Sequence, residues 1–198
     1  MKTAKEFFKN NMTVFLIALV IFVLSISAGT VVSLRLGPDD TGELKEYIVP
    51  YLENDIISKI SFADIFKTSA QNHLKFIITA AVGAVNLYTL PLFLFAFVLK
   101  GYQLGFTIGF ISDNFGPKGI AVALSSVIVF YLLSMPVYFL LFTIETNYVL
   151  KKSKLYNGSK GKNNIFPYFI FLLIIYFFLC VFSLVESVLT PLIISFIN

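Results

Sequence analysis

Three carboxylates stand beside long apolar runs and are the first candidates for chemistry: Asp113, Glu145 and Glu186. An acid held inside hydrocarbon costs roughly 2.5–3.5 kcal/mol or more, so each is a functional candidate until it is placed elsewhere. Their positions argue for the wet ends of the runs. Asp113 opens the polar stretch Asp113-Asn114-Phe115-Gly116-Pro117-Lys118. Glu145 follows a run ending at Ile144 and precedes Lys151 by six residues, within pairing reach of a lysine cluster. Glu186 follows the last long run. Structural or interfacial roles are therefore expected for all three. His73 is the only histidine; set at an outer interface, it leaves a His-based metal site or a catalytic triad without its other parts. No His-Glu-x-x-His, Gly-x-Ser-x-Gly, Gly-x-Gly-Asp or Gly-x-x-x-x-Gly-Lys-Ser/Thr occurs. Catalysis by the chain alone is not expected, and neither a metal nor a cofactor is implied. Asn86 falls near the middle of an apolar run, where its amide should bond a neighbouring helix. With Gln103 and Asp113 it would form the polar path of a transporter.

These residues are embedded in a chain that is 58% hydrophobic and 13% charged, with a mean hydropathy of +0.86. An average soluble domain carries roughly 25% charged residues, so the solvent implied here is membrane lipid. Its 23 Phe and 10 Tyr with no Trp, and a net charge of only +4, argue against nucleic acid as a partner. Cys180 is the single cysteine, which excludes an intramolecular disulfide.

The elements that must position the polar residues are apolar helices. Met12 to Leu34 is an uncharged run behind Lys2, Lys5 and Lys9, and a hydrocarbon core of about 30 Å needs about 20 helical residues. Ser25-Ile26-Ser27 offers small residues to a signal peptidase. The run is nevertheless longer than the 7–15 residues of an ordinary signal-peptide core, so an uncleaved anchor is expected. Residues 76–98, 119–146 and 166–185 read as further crossings, with an interfacial or partly inserted tail after Glu186 bent near Pro191. Lys100 to Ser112 spans 13 residues, about 20 Å of helix, short for a crossing. The charges arbitrate. The loop 150–164 holds Lys151, Lys152, Lys154, Lys160 and Lys162 with no acid, and short lysine-rich loops stay cytoplasmic. An even number of crossings must then separate it from the basic amino terminus, which makes residues 100–115 a crossing. The expectation is one all-α polytopic membrane domain over residues 1–198 with five crossings, its amino terminus cytoplasmic and its carboxyl terminus extracytoplasmic.

Gly101, Gly105 and Gly109 fall four apart and line one helix face without side chains. Small-xxx-small strips let two backbones approach in lipid. Ser25 with Gly29, and Ala80 with Ala84, repeat the spacing; these seven residues are the candidate packing contacts. Residues 35–73 form the one long polar stretch, with four basic and seven acidic side chains. Leu44, Tyr47, Ile48, Tyr51 and Leu52 recur there at helical spacing, and Pro50 should kink or divide the segment. It reads as an amphipathic lid on the membrane surface or as a docking surface. In the second case Tyr47, Tyr51, Phe62 and Phe66, with Glu186, are the candidate partner contacts.

The order of features resembles the stage II sporulation protein M family. The resemblance rests on the basic amino terminus before Ser27-Ala28-Gly29, the segment leading to Asn72-His73, Lys100-Gly101-x-x-x-Gly105, the turn Phe115-Gly116-Pro117-Lys118-Gly119, the Pro136 helix, and Glu186 with Pro191. An Asn commonly precedes the family glycine aligned with Gly101; here it is Lys100. The resemblance implies a non-enzymatic role in engulfment during sporulation, in the mother-cell or septal membrane. There the chain would anchor two peptidoglycan hydrolases, stage II sporulation proteins P and D, which carry the wall-cutting chemistry. A homo-oligomer is compatible with the same features, and a small transporter or permease subunit is the alternative reading.

Overall fold

A computed structural model of the chain describes residues 4–52, 61–122, 129–156 and 166–197. Six helices follow one another: α1 (Ala4–Ser33), α2 (Pro38–Leu52), α3 (Phe62–Gly83), α4 (Leu90–Val122), α5 (Val129–Tyr156) and α6 (Phe166–Ile197). No strand occurs among the described residues. Segments 11–33, 90–117, 133–153 and 166–192 are long and apolar enough to cross a membrane. The protein is an all-α polytopic membrane protein.

Contacts set the direction of each helix. Phe22 and Ser25 of α1 lie at Gly101, Ile26 at Gly105, and Thr30 with Ser33 at Gly109, so α1 and α4 run parallel. Lys152 of α5 donates to the Val85 carbonyl at 2.6 Å, which puts the turn after α3 at the end of the bundle that carries the lysine loop. Gly83 lies at Glu145, which accepts from Tyr168 at the start of α6, while Ser69 meets Ser183 and Glu186 further along. α3 therefore runs antiparallel to α6 through the same depth, about 33 Å for its 22 residues. It lies along α6 although it is more polar than the four helices apolar enough to span a membrane.

Several boundaries differ from the sequence reading. The stretch 76–98 is not one helix. A turn over residues 84–89 divides it, held by Asn86, whose Oδ1 accepts from the backbone N–H groups of Tyr88 and Thr89. Pro91 consequently sits at the opening of α4, where a missing N–H costs nothing, and α4 begins ten residues before the expected Lys100. Its end is where the turn motif placed it: Gly116 has φ +55° and breaks the helix, and Pro117 starts a short last turn that folds back, with Gly119 against the Ile111 carbonyl. Pro136 and Pro191 lie inside continuous helices. The tail after Glu186 thus continues α6 as one helix. α2 opens at Pro38 with Asp39 and Asp40 in its first turn, where acids suit the helix dipole. Its Leu44 and Ile48 pack against Phe110 and Ile111 at the end of α4 far from the lysine loop. Most of that loop, residues 157–165, and residues 53–60 of the polar segment lie outside the described residues.

The core is aromatic. Phe76, Phe93, Phe97, Tyr138 and Phe142 are almost fully buried, with ring centroids 4.6 Å apart for Phe76–Tyr138 and 4.7 Å for Phe97–Phe142. Among the described side chains of α1, Ala18, Phe22, Ser25, Gly29 and Ser33 are buried, a single face at helical spacing, with Val14, Ile21 and Ile26 packed partly against the core beside them. Cysteine labelling in a Cys180→Ser background tests the threading. A cysteine at residue 160 is expected to react only from the cytoplasm, and one at residue 40 only from outside intact cells.

Candidate functional site

Polar side chains meet at the middle of the bundle, where α3, α4, α5 and α6 converge. α3 brings His73 and Ser69 to its inner face because they are four apart. His73 is 8% exposed, and its Nδ1 lies 2.6 Å from the hydroxyl of Tyr138 on α5. Lys100, ten residues into α4, holds its Nζ 6.0 Å from the centroid of the same tyrosine ring, the geometry of a cation–π contact. Glu186 on α6 lies within electrostatic reach of Lys100. Ser69 bonds Glu186 at 2.5 Å and Ser183 at 3.0 Å, and Ser183 reaches the Leu179 carbonyl at 3.1 Å.

Proton counting shows what this chain of bonds can do. Each serine hydroxyl has one proton to donate. With Glu186 as a carboxylate, Ser69 donates to it, and Ser183 must choose between Ser69 and the Leu179 carbonyl. With Glu186 protonated, all three bonds are satisfied at once. The arrangement can therefore hold a proton on Glu186, and in the carboxylate form Glu186 lies within electrostatic reach of Lys100.

A second polar site lies near the lysine-loop end. Glu145 is 0% exposed; Tyr168 donates to its Oε2 at 3.2 Å, and its Oε1 has no hydrogen-bond partner among the described residues. Tyr148 stacks on Tyr168 with centroids 4.7 Å apart, and Lys152 is drawn away to the carbonyls of Ala84 and Val85. Glu145 is thus buried against Gly83 and Phe93 rather than paired with the lysine cluster. Lys152 instead caps the carboxyl end of α3, where a cation suits the helix dipole.

The structure places the other candidates as follows. Gly101, Gly105 and Gly109 of α4 face Ser25, Gly29 and Ser33 of α1, and the Thr30 hydroxyl donates to the Gly105 carbonyl at 3.1 Å across the gap. Ala80 and Ala84 are fully buried in the aromatic core. Phe62 is exposed and Phe66 half-buried on the first turns of α3, while the side chains of Tyr47 and Tyr51 lie outside the described set. Glu186 is half-buried in the central cluster. His73 is not at an interface but inside the bundle. Asn86, Gln103 and Asp113 are all exposed and form no common path; Asn86 serves its own turn. Sequence reading missed Lys100, Ser69, Ser183, Tyr138 and Tyr168. Its one available signal was Ser183, four residues past the buried Leu179 and three before Glu186 on the same helix face.

The family model for stage II sporulation protein M matches residues 18–191, from within α1 to Pro191 of α6. Comparison with curated proteins and with solved structures gave no match. The match runs through every helix described above, and the chain belongs to the stage II sporulation protein M family.

Proposed function

We propose that the protein is a non-enzymatic membrane anchor that localises and organises peptidoglycan hydrolases during engulfment, in the mother-cell or septal membrane of a sporulating bacterium. The observation that carries this reading is the family match over nearly the whole chain. The architecture supports it. Glycine-faced packing of α1 on α4 gives a rigid body, and α2 with the start of α3 offers side chains at the end of the bundle away from the lysine loop. On this reading stage II sporulation proteins P and D carry the chemistry, and the chain binds no cofactor. Affinity capture of the tagged chain from engulfing cells is expected to recover a wall hydrolase, and capture to fall at least tenfold for Gly105→Leu. Recovery of lipid with no hydrolase would end the proposal.

The central cluster favours a second reading, a small transporter or permease subunit, because Lys100, His73 and Glu186 share membrane depth and such residues mark ion pathways. Proton flux into liposomes holding the purified chain, lost on Glu186→Gln, would move the assignment to this reading.

A further inference from the structure

α3 is polar on both sides. Behind its buried face lie His73 and Ser69; on its outer face Asp64, Lys67, Thr68, Gln71, Asn72 and Lys75 are all exposed. At 100° per residue these six fall within an arc of about 140°, a strip running from the far end of α3 to its middle. Ile78 and Val82 continue the strip as apolar residues. The strip cannot face lipid cheaply. Lys75 is eight residues, about 12 Å, from Gly83 at the lysine-loop end, and Gln71 and Asn72 lie one turn deeper. Ser69, between them and the far end, is level with Ser183 inside the apolar α6. Lys67, Gln71 and Asn72 make no hydrogen bond or ion pair within the chain among the described residues. The exposed faces of α1 and α6, by contrast, carry large apolar side chains such as Leu24, Leu173 and Phe177.

We infer that this strip seats a membrane-spanning helix of another protein, one bearing an aspartate or glutamate near its midpoint opposite Lys75. Charge selects the occupant. Lys75 lies in the field of Lys100, and the acid in that field, Glu186, is already bonded to Ser69 on the inner side. The strip's own acid, Asp64, stands about 16 Å along the helix, so a carboxylate is what the outer face lacks at the level of Lys75, and amides at positions 71 and 72 can bond the flanking polar groups of a partner helix. A second copy is disfavoured as the occupant. Two copies inserted alike are related by an axis along the membrane normal, so Lys75 would meet Lys75 at equal depth. The inference rests on the anchoring role in taking a protein as the occupant. It deepens that role by naming the surface and the chemistry of the partner's membrane segment.

The full chain, fluorescently labelled at its amino terminus, is reconstituted in phosphatidylcholine liposomes with a labelled 23-residue leucine–alanine helix carrying one aspartate at its midpoint. Energy transfer is compared with the twin lacking the aspartate. The aspartate helix is expected to associate at least tenfold more tightly, and the preference to vanish with Lys75→Leu, a change that suits lipid and should leave the bundle intact. Lys75→Glu should transfer the preference to a helix with a central lysine. Equal association of both helices, or an unchanged preference in Lys75→Leu, overturns the inference. So does efficient disulfide cross-linking between copies through Asn72→Cys in a Cys180→Ser chain. None of these readouts involves a hydrolase, so failure to capture one in cells would remove the anchoring role while leaving the seat measurable.

Discussion

Gly105→Leu is expected to drive α1 off α4 and abolish the folded bundle. Even the single Cβ of Gly105→Ala would overlap the backbone of Ile26, with the Ile26 carbonyl as the nearest atom. Backbone cannot rotate aside as a side-chain end can. Overpacking in a close interface costs about 1–3 kcal/mol, and this site should reach the upper figure for alanine and exceed it for leucine. Gly29→Ala meets the Tyr102 carbonyl from the other side and should cost as much. The shared Thr30–Gly105 hydrogen bond, 3.1 Å, would be lost with either. Gly42→Ala is the control. Nothing lies within 4 Å of its added Cβ in α2, and exchanging a helical Gly for Ala should be neutral or stabilising by up to about 1 kcal/mol. Helix content followed across a sodium dodecyl sulfate titration separates the three outcomes. Equal midpoints for Gly105→Ala and Gly42→Ala would mean that α1 and α4 do not touch there.

Glu145→Ala should weaken the fold by about 2–4 kcal/mol, whereas Glu145→Gln should leave it unchanged or stronger. Alanine opens a cavity beside Phe93 and strips the Tyr168 hydroxyl of its acceptor, two losses that add. Glutamine keeps an oxygen for Tyr168 and removes any need to bury a charge behind a single hydrogen bond. Tyr168→Phe tests the pair from the other side. Its cost, about 1–3 kcal/mol in the native chain, should shrink when Glu145 is already alanine. If alanine and glutamine at position 145 behave alike, the carboxyl is not held by Tyr168.

The outline of this fold was legible because lipid imposes strong rules on sequence. The runs at 12–34 and 166–185 are apolar throughout and have no other home than a membrane. Gly101, Gly105 and Gly109 stood four apart for a reason that backbone contact with α1 explains. The segment 100–115 lies in a helix long and apolar enough to span, α4, whose first ten residues the sequence reading assigns to the preceding helix. That error has a definite cause. Residues 76–98 are apolar across the turn at 84–89, and hydropathy has no sign that distinguishes an apolar turn from an apolar helix. Asn86 and Thr89 supply the turn's hydrogen bonds, a local exchange that reads equally well as a polar residue awaiting a neighbour. The polar cluster was hidden for a different reason. Its members come from positions 69, 73, 100, 138, 183 and 186 on four helices, and only the packing of α3 against α6 brings them together. The first half of α3, residues 62–73, reads as part of the polar surface segment because it carries polar side chains on more than one face.

The parallel pairing of α1 with α4 also bears on how the protein is made. The hydroxyl of Thr30 awaits a carbonyl that lies 75 positions later in the chain. At ordinary synthesis rates of about 5–20 residues per second, that is a delay of roughly 4–15 s. Through it the first helix must wait in the bilayer with its notched flank bare, while α3, made before α4, turns instead toward α4 and α6. A ribosome halted before Gly105 would therefore leave an inserted but unclasped anchor, a natural substrate for membrane quality-control proteases.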